Sequence, residues 1–279
     1  MRFGVHMPQK GGFKSNVERV AGLGCRTIQI FPGNPTGWKM GKLEPEEIAK
    51  RTALIEEKAI DPLVVHSAYL INLATTSEDF LAKSRKLLRE TMERAAFYRS
   101  PYVILHTGNH GGQGVEKGLE QIVEIIKEDR TGWPEEVKLL LENTAGSGTA
   151  LGSRFEELAH ILSYFPRRAL GVCIDTAHGY AAGYDFGTAA GVEKTLARFD
   201  DTVGLNNLGV IHVNDTRVEL GARTDRHAHI GEGNIGREGF AAFLGSGWPE
   251  EMPVILETPE NGTDWDRINL ETLRELAGV

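Results

Sequence analysis

The run Val210-Ile-His212-Val-Asn-Asp215 puts an imidazole at the end of an apolar, β-branched stretch, and Asp225-Arg-His227 follows closely. In extended backbone Asp225 and His227, two residues apart, face the same way. An imidazole at a strand end with such a pair just after it is a metal-ligand arrangement. A polar strand end followed by a solvated loop is the competing reading of this stretch taken alone. The pattern recurs along the chain, however. Other apolar runs close on or beside His66, His106, Glu142, Asp175 and Glu257, and His178 stands three residues past Asp175.

If these strand ends open onto one face, five imidazoles and four carboxylates crowd together there. Carboxylates within a few ångströms of one another cannot all ionise unless positive charge is supplied. No Lys or Arg lies among the strand-end positions to supply it, so bound cations are the economical explanation. Nine ligands exceed what one four-coordinate ion can use; about three ions, with a carboxylate bridging two, account for them. Mixed nitrogen and oxygen ligation without thiolate suits Zn²⁺, with Mn²⁺ or Fe²⁺ as alternatives, whereas the oxygen preference of Mg²⁺ fits histidines poorly.

The elements that must position these groups are eight short apolar runs: Phe3–Met7, Thr27–Phe31, Leu63–His66, Tyr102–His106, Lys138–Asn143, Leu170–Asp175, Leu208–Val213 and Val254–Glu257. They are rich in Val, Ile and Leu with little polar alternation, as in strands buried on both faces of a parallel sheet. Helical segments separate them. Ser15-x-x-Glu18 and Ser153-x-x-Glu156 read as capping boxes. In 78–98, Phe80, Leu81, Leu87, Leu88, Met92 and Ala95 fall close to one face. Glu46–Ala59, Val115–Lys127, Ala189–Phe199, Arg237–Leu244 and Asp266–Leu276 complete the set. Eightfold strand–helix alternation predicts an α/β fold, a closed (β/α)₈ TIM barrel whose strand C-termini share one face; an open doubly wound sheet is the alternative. No linker or low-complexity tract divides the chain, so residues 1–279 read as one domain.

Composition sets outer bounds. An apolar content of 41% and a charged content of 25% are those of a globular protein, and no window reaches the length of a membrane span. The start, Met1-Arg-Phe-Gly-Val-His6, lacks the apolar core of a signal peptide. Cys25 and Cys173 offer no disulfide framework, which makes a reducing cytoplasm the expected compartment. A formal charge of −8 argues against non-specific nucleic-acid binding, which rests on Lys and Arg neutralising phosphates. It leaves room for a local positive site.

Several longer stretches carry a resemblance. His66-Ser-Ala-Tyr-Leu-Ile-Asn-Leu-Ala74, Leu141-Glu-Asn-Thr-Ala-Gly146, Cys173-Ile-Asp-Thr-Ala-His178 with Ala182-Gly-Tyr-Asp185, His212-Val-Asn-Asp215, Asp225-Arg-His-Ala-His-Ile-Gly-Glu-Gly233 and Leu256-Glu-Thr-Pro259 resemble the signatures of the endonuclease IV family of abasic-site DNA repair enzymes. The resemblance implies a barrel with a trinuclear zinc centre that cleaves the phosphodiester 5′ of an abasic site in duplex DNA. The products are a 3′-hydroxyl and a 5′-deoxyribose phosphate, and the setting is base excision repair. It assigns His66, His106 and Glu142 to one zinc, Glu142, Asp175, His212 and Glu257 to a second, and His178, Asp225 and His227 to the third. Glu142 bridges, and Glu257 is the candidate to orient or deprotonate the attacking water. A monomer with no organic cofactor and no membrane association is expected.

The same resemblance makes Asn34, Trp38, Tyr69 and Leu70 candidate DNA contacts. Tyr69 and Leu70 match positions that press into the duplex and hold the abasic sugar flipped out, which costs less than flipping a paired base. Asn34-Pro-Thr-Gly-Trp38 resembles the DNA-entering loop, but Thr36 stands where many members carry arginine. Its loss removes a wedge and a phosphate or groove contact, which Lys39 and Lys42 are placed in sequence to offset. Simple packing at the barrel rim is the competing role for Trp38 and Tyr69.

Other motifs read differently. Gly231-Glu-Gly-Asn-Ile-Gly236 fits G-x-G-x-x-G but follows a loop, not the strand a dinucleotide site needs. Gly108–Gly114 reads as a flexible loop in which His110 could meet a phosphate. Two rival functions remain at this level. A sugar isomerase or epimerase on a similar barrel needs about four ligands and leaves His178, Asp225 and His227 without a role. A metal-stabilised DNA-binding scaffold would bind abasic duplex without nicking it.

Overall fold

The computed structural model describes residues 1–42 and 44–279. Seven strands appear in succession: β1 (Arg2–His6), β2 (Thr27–Ile30), β3 (Leu63–His66), β4 (Tyr102–His106), β5 (Lys138–Glu142), β6 (Leu170–Asp175) and β7 (Leu208–His212). A two-residue ribbon follows, β8 (Asp215–Thr216) against β9 (His227–Ala228), and then β10 (Pro253–Leu256). All pairings among β1–β7 and β10 are parallel, and β1 pairs with both β2 and β10, so the sheet closes. That closure excludes the open doubly wound alternative. Around the barrel lie α1 (Phe13–Gly22), α2 (Pro45–Glu57), α3 (Glu78–Phe97), α4 (Val115–Asp129), α5 (Phe155–Leu162), α6 (Thr176–Ala182), α7 (Ala189–Thr202), α8 (Gly236–Leu244) and α9 (Asp264–Ala277). Among the described residues, no helix is long and apolar enough to cross a membrane.

Two cores form. A large one fills the space between strands and helices, and a small one fills the barrel axis with Val64, Ile104, Leu140, Cys173, Val210 and Ile255, capped by Tyr102. Strand side chains alternate with a period of two, so whatever lies two residues beyond an axial residue points inward again. Those next positions are His66, His106, Glu142, Asp175, His212 and Glu257. Gly4 and Thr27 pair across β1 and β2, and His6 and Gln29 pair one step above them. Every barrel strand therefore contributes a polar side chain at this level, over an apolar floor. Gly4 is required for the closure, because a Cβ there would lie 1.8 Å from the Thr27 carbonyl oxygen.

Several local expectations are corrected. Helix α1 opens at Phe13, two residues before Ser15, because Gly11 and Gly12 turn the chain with positive φ and Gly12 is its N-cap. Ser153 likewise caps nothing: the N-cap of α5 is Arg154, and the Glu157 carboxylate accepts instead from the Gly152 amide at 2.7 Å. Phe80 leaves the buried face of α3, being 50% exposed: it lies in the first turn of that helix and its ring packs on Trp38 at 5.7 Å. Helix α6 and the ribbon are too short to announce themselves by periodicity.

Candidate metal centre

The strand ends bring the predicted residues together at the C-terminal mouth of the barrel. Glu142, fully buried at the end of β5, is the hub. Its Oε2 lies 3.1 Å from His66 Nε2 and 3.2 Å from His106 Nε2, and its Oε1 lies 3.0 Å from His212 Nδ1. The same His212 nitrogen is 3.2 Å from Glu257 Oε2. Asp225, half-exposed on the loop between β8 and β9, stands 3.2 Å from His178 Nε2 through one oxygen and 3.2 Å from His227 Nε2 through the other. Asp175 Oδ2 approaches His227 Nε2 to 3.8 Å.

Ligand atoms lie within 4.8 Å of one another in three groups: His66, His106 and Glu142; Glu142, Asp175, His212 and Glu257; and Asp175, His178 and His227. The first two hold the same residues as two of the sets that the resemblance implies. The third differs, with Asp175 standing beside His178 and His227 where Asp225 was expected, although Asp225 lies 3.2 Å from both histidines.

The arrangement fits cations. Two ligands about 2.1 Å from a tetrahedral ion lie roughly 3.4 Å apart, close to the separations here. The outer nitrogens of the buried histidines are anchored: Nδ1 of His66, His178 and His227 donates to the carbonyls of Ser67, Asn143 and Glu257 at 2.8, 3.0 and 2.9 Å. This fixes the tautomer and turns each Nε2 inward, as metal-binding histidines require. Among the described residues, His227 Nε2 is buried with no hydrogen-bond partner, although two carboxylates face it. An ion between them would satisfy it.

Electrostatics points the same way. Burial alone would raise the Glu142 carboxyl, but the His212 and His106 imidazoles outweigh it and hold it well below the usual carboxylate range. Burial also opposes the charge on Glu257, yet His212 and His6 pull it below its ordinary value. Against the same opposition, His178 and His227 bring Asp225 down to about 2. Against burial, Asp175, Asp225 and Glu142 raise His178, and Cys173, Glu257 and Glu142 raise His212. The carboxylates thus stay ionised only against positive charge, which imidazolium protons or metal ions can supply.

Residues of other types hold the ligands. Asn214 donates to Asp175 Oδ2 at 2.6 Å and accepts from the Glu257 amide at 2.7 Å. Asn143 accepts from the Asp175 amide and donates to its carbonyl. Asp175 Oδ1 also accepts from the His178 amide, capping α6. Asp215 is fully buried and accepts from the amides of Thr216, Gly231, Gly233, Ile235 and Gly236. The glycine motif is therefore a nest around a carboxylate. A Cβ at Gly233 would meet Asp215 Oδ1 at 2.4 Å. The amides and Asp215 escape a search for ligand types, but Gln29 could have been found by strand parity, two residues beyond Thr27.

The mouth opens into a cleft of about 1070 Å³ whose lining includes Lys10, Arg19 and Arg226. A second cleft of about 550 Å³ meets it at Tyr69, His106 and Asp225. Tyr69, 54% exposed, rests edge-on against Phe31 at 5.1 Å and near His106 at 5.7 Å. Its amide donates to the Pro35 carbonyl, tying the loops after β2 and β3 together. Leu70 lies beside it in the second cleft. Asn34 has a local task, since its Oδ1 accepts from both the amide and the hydroxyl of Thr36. Trp38 leans on Phe80 away from the mouth, and Lys39 and Lys42 line a separate groove with Lys86 and Arg94. His110 organises its own loop, its Nδ1 accepting from the Gly112 and Gly114 amides. His229 stacks on Trp265 at 3.5 Å.

Comparison with known proteins accords with this geometry. The chain matches the family described as "Xylose isomerase-like TIM barrel" over residues 17–276. It is 47% identical over 279 residues to a "Probable endonuclease 4" of Natranaerobius thermophilus, covering 100% of this chain and 98% of the relative. The crystal structure of endonuclease IV from Thermus thermophilus superimposes with a TM-score of 0.87 at 36% identity, covering 100% of this chain and 99% of that one. A D-tagatose 3-epimerase-like protein shares the fold, with a TM-score of 0.74 at 24% identity over 100% of this chain and 97% of that one. The chain belongs to the endonuclease IV family of apurinic/apyrimidinic endonucleases.

Proposed function

We propose that this protein is a zinc-dependent DNA repair endonuclease. It hydrolyses the phosphodiester 5′ of abasic sites in duplex DNA, and it acts in base excision repair in the cytoplasm. The observation that carries the reading is the convergence of His66, His106, Glu142, Asp175, His178, His212, Asp225, His227 and Glu257 at one barrel mouth beside open clefts. A sugar isomerase or epimerase would leave the group around Asp225 idle. Three zinc ions, when bound, would lower the pKa of a water molecule and offset negative charge on the phosphate.

The chain's own residues define the rest of the chemistry. Glu257, with one oxygen turned inward, orients the attacking water and accepts its proton. The water oxygen forms the new bond to phosphorus as the bond to the 3′-oxygen breaks, and that oxygen leaves as a hydroxyl with a proton taken from solvent water. Tyr69, where the two clefts meet, and Leu70, in the second cleft, press into the duplex and hold the abasic sugar out of the stack. Lys10 and Arg226 give the larger cleft positive groups for flanking phosphates, whereas Arg19 is paired with Asp266 at 2.7 Å. Asn34, which holds Thr36, and Trp38, which packs on Phe80, belong to the neighbouring loop that would meet the duplex.

The direct test is a duplex carrying one tetrahydrofuran abasic analogue, incubated with zinc-loaded protein. A single nick on the 5′ side, with an end that a polymerase extends, is expected. Binding without nicking would leave only a scaffold role.

A further inference from the structure

Gln29 sits on β2 at the level of the strand-end ligands and is fully buried. Its Nε2 donates to Glu257 Oε1 at 2.6 Å and lies 2.8 Å from His6 Nδ1. Its Oε1 lies 2.8 Å from His212 Nε2. A primary amide has two hydrogens to give and one carbonyl to receive. The consistent arrangement sends one hydrogen to Glu257 and the other to His6, and takes the Nε2–H of His212 on the carbonyl. His212 Nδ1 is then the free nitrogen of the neutral ring, and it faces Glu142 and Glu257 at 3.0 and 3.2 Å.

The other anchored histidines of the cluster lean on the backbone. Ser67, Asn143 and Glu257 offer carbonyl oxygens to His66, His178 and His227, and no substitution at those positions deletes a carbonyl. Among the described residues of the cluster, His212 is the one whose outer nitrogen is held by a side chain. The same side chain holds one oxygen of Glu257, leaving the other to face the centre. A single amide therefore sets the proton position of one ligand and the direction of a second.

We propose that Gln29 is a positioning residue of the metal centre, fixing His212 with its proton on Nε2 and turning Glu257 Oε2 inward. This rests on the cluster being a metal site, as argued above, and not on DNA being the substrate. Two substitutions separate its tasks. Gln29→Met has similar bulk and loses both the acceptor and the hydrogens. Gln29→Glu keeps an acceptor for His212 and loses the hydrogens given to Glu257 and His6.

The test uses full-length protein loaded with zinc, dialysed against a chelator, with retained ions counted by elemental analysis. Long-range nitrogen–proton spectra of isotope-labelled histidine in the loaded protein report which His212 nitrogen carries the proton. Gln29→Met should hold zinc about 10- to 100-fold less tightly than wild type, the usual effect of losing a group that orients a ligand. It should also lose the fixed Nε2–H signature. Gln29→Glu should keep that signature and retain more zinc than Gln29→Met but less than wild type, because Glu257 loses its donor and faces a like charge. A Gln29→Met protein that melts earlier yet keeps both wild-type retention and the wild-type signature overturns the proposal. So does a Gln29→Glu protein whose His212 proton sits on Nδ1, a result that stands even if the Met variant fails to fold. A wild-type protein that holds no zinc would overturn the metal-centre reading and this inference with it, whereas zinc retention without DNA cleavage would overturn only the proposed substrate.

Discussion

Glu257 meets His212 through one oxygen and Gln29 through the other, while its backbone amide is held by Asn214. A carboxylate held at both oxygens, on a backbone that is itself held, loses little freedom when it takes a proton from water. Glu257→Gln keeps the size and most of these bonds but removes the basic oxygen. The variant is expected to bind abasic duplex nearly as well as wild type while its nicking rate falls by about 10²- to 10⁴-fold, the usual range for a general base; single-turnover cleavage beside a gel-shift titration checks both. The cysteines make a simpler prediction. Burial pushes the thiols of Cys25 and Cys173 up to about 12, so a thiol reagent at neutral pH should label neither until the protein is denatured, when both react. At this scale the ligands were legible because His, Asp and Glu at strand ends are uncommon in a hydrophobic pattern. Asn143 and Asn214 were not, since an amide has no signature of its own and their tasks exist only between elements; strand parity gives the place of Gln29 but not its task.

The loop and cap chemistry shows where local reading failed and why. Two Ser-x-x-Glu motifs matched a capping box, but glycines at positive φ moved the chain turn upstream of Ser15, and Glu157 took the Gly152 amide in place of the one expected. Glu157 is buried, and burial raises its carboxyl above the ordinary glutamate value although Gly152 and Arg154 act the other way. A raised carboxyl in the fold costs nothing below the unfolded-state pKa. Its cost grows as pH rises through the folded value and is complete above it. Glu157→Gln can still accept from Gly152, so its melting temperature relative to wild type should rise between acid and neutral pH; a gain that is the same at both would contradict the burial argument. The glycine motif at 231–236 yields the stronger test. Asp215→Ala leaves five amides without their acceptor, those of Thr216 and Ile235 buried and those of three glycines part-buried, and chemical denaturation should show a loss of about 3 kcal/mol or more. Because the nest holds the segment that follows His227, zinc retention should fall in the same variant.

Most of the whole molecule's plan follows from eight apolar runs separated by helical segments. Neither barrel closure nor the convergence of ligands can be read from any one of them. Closure depends on pairing β1 with β10, at opposite ends of the chain, and on Gly4, which lets β1 approach β2. The period of two along each strand then lifts a polar layer above the apolar floor. A fold with buried carboxylates held apart by imidazoles depends on positive charge at its mouth, so removing metal with a chelator should lower the melting temperature, and adding zinc back should restore it. The count of bound ions tests the central claim most directly. Elemental analysis of purified, zinc-reconstituted protein should give three ions per chain, falling to two when Asp225 and His227 are both replaced by alanine. One or two ions in the wild-type protein, unchanged by that double substitution, would contradict the account.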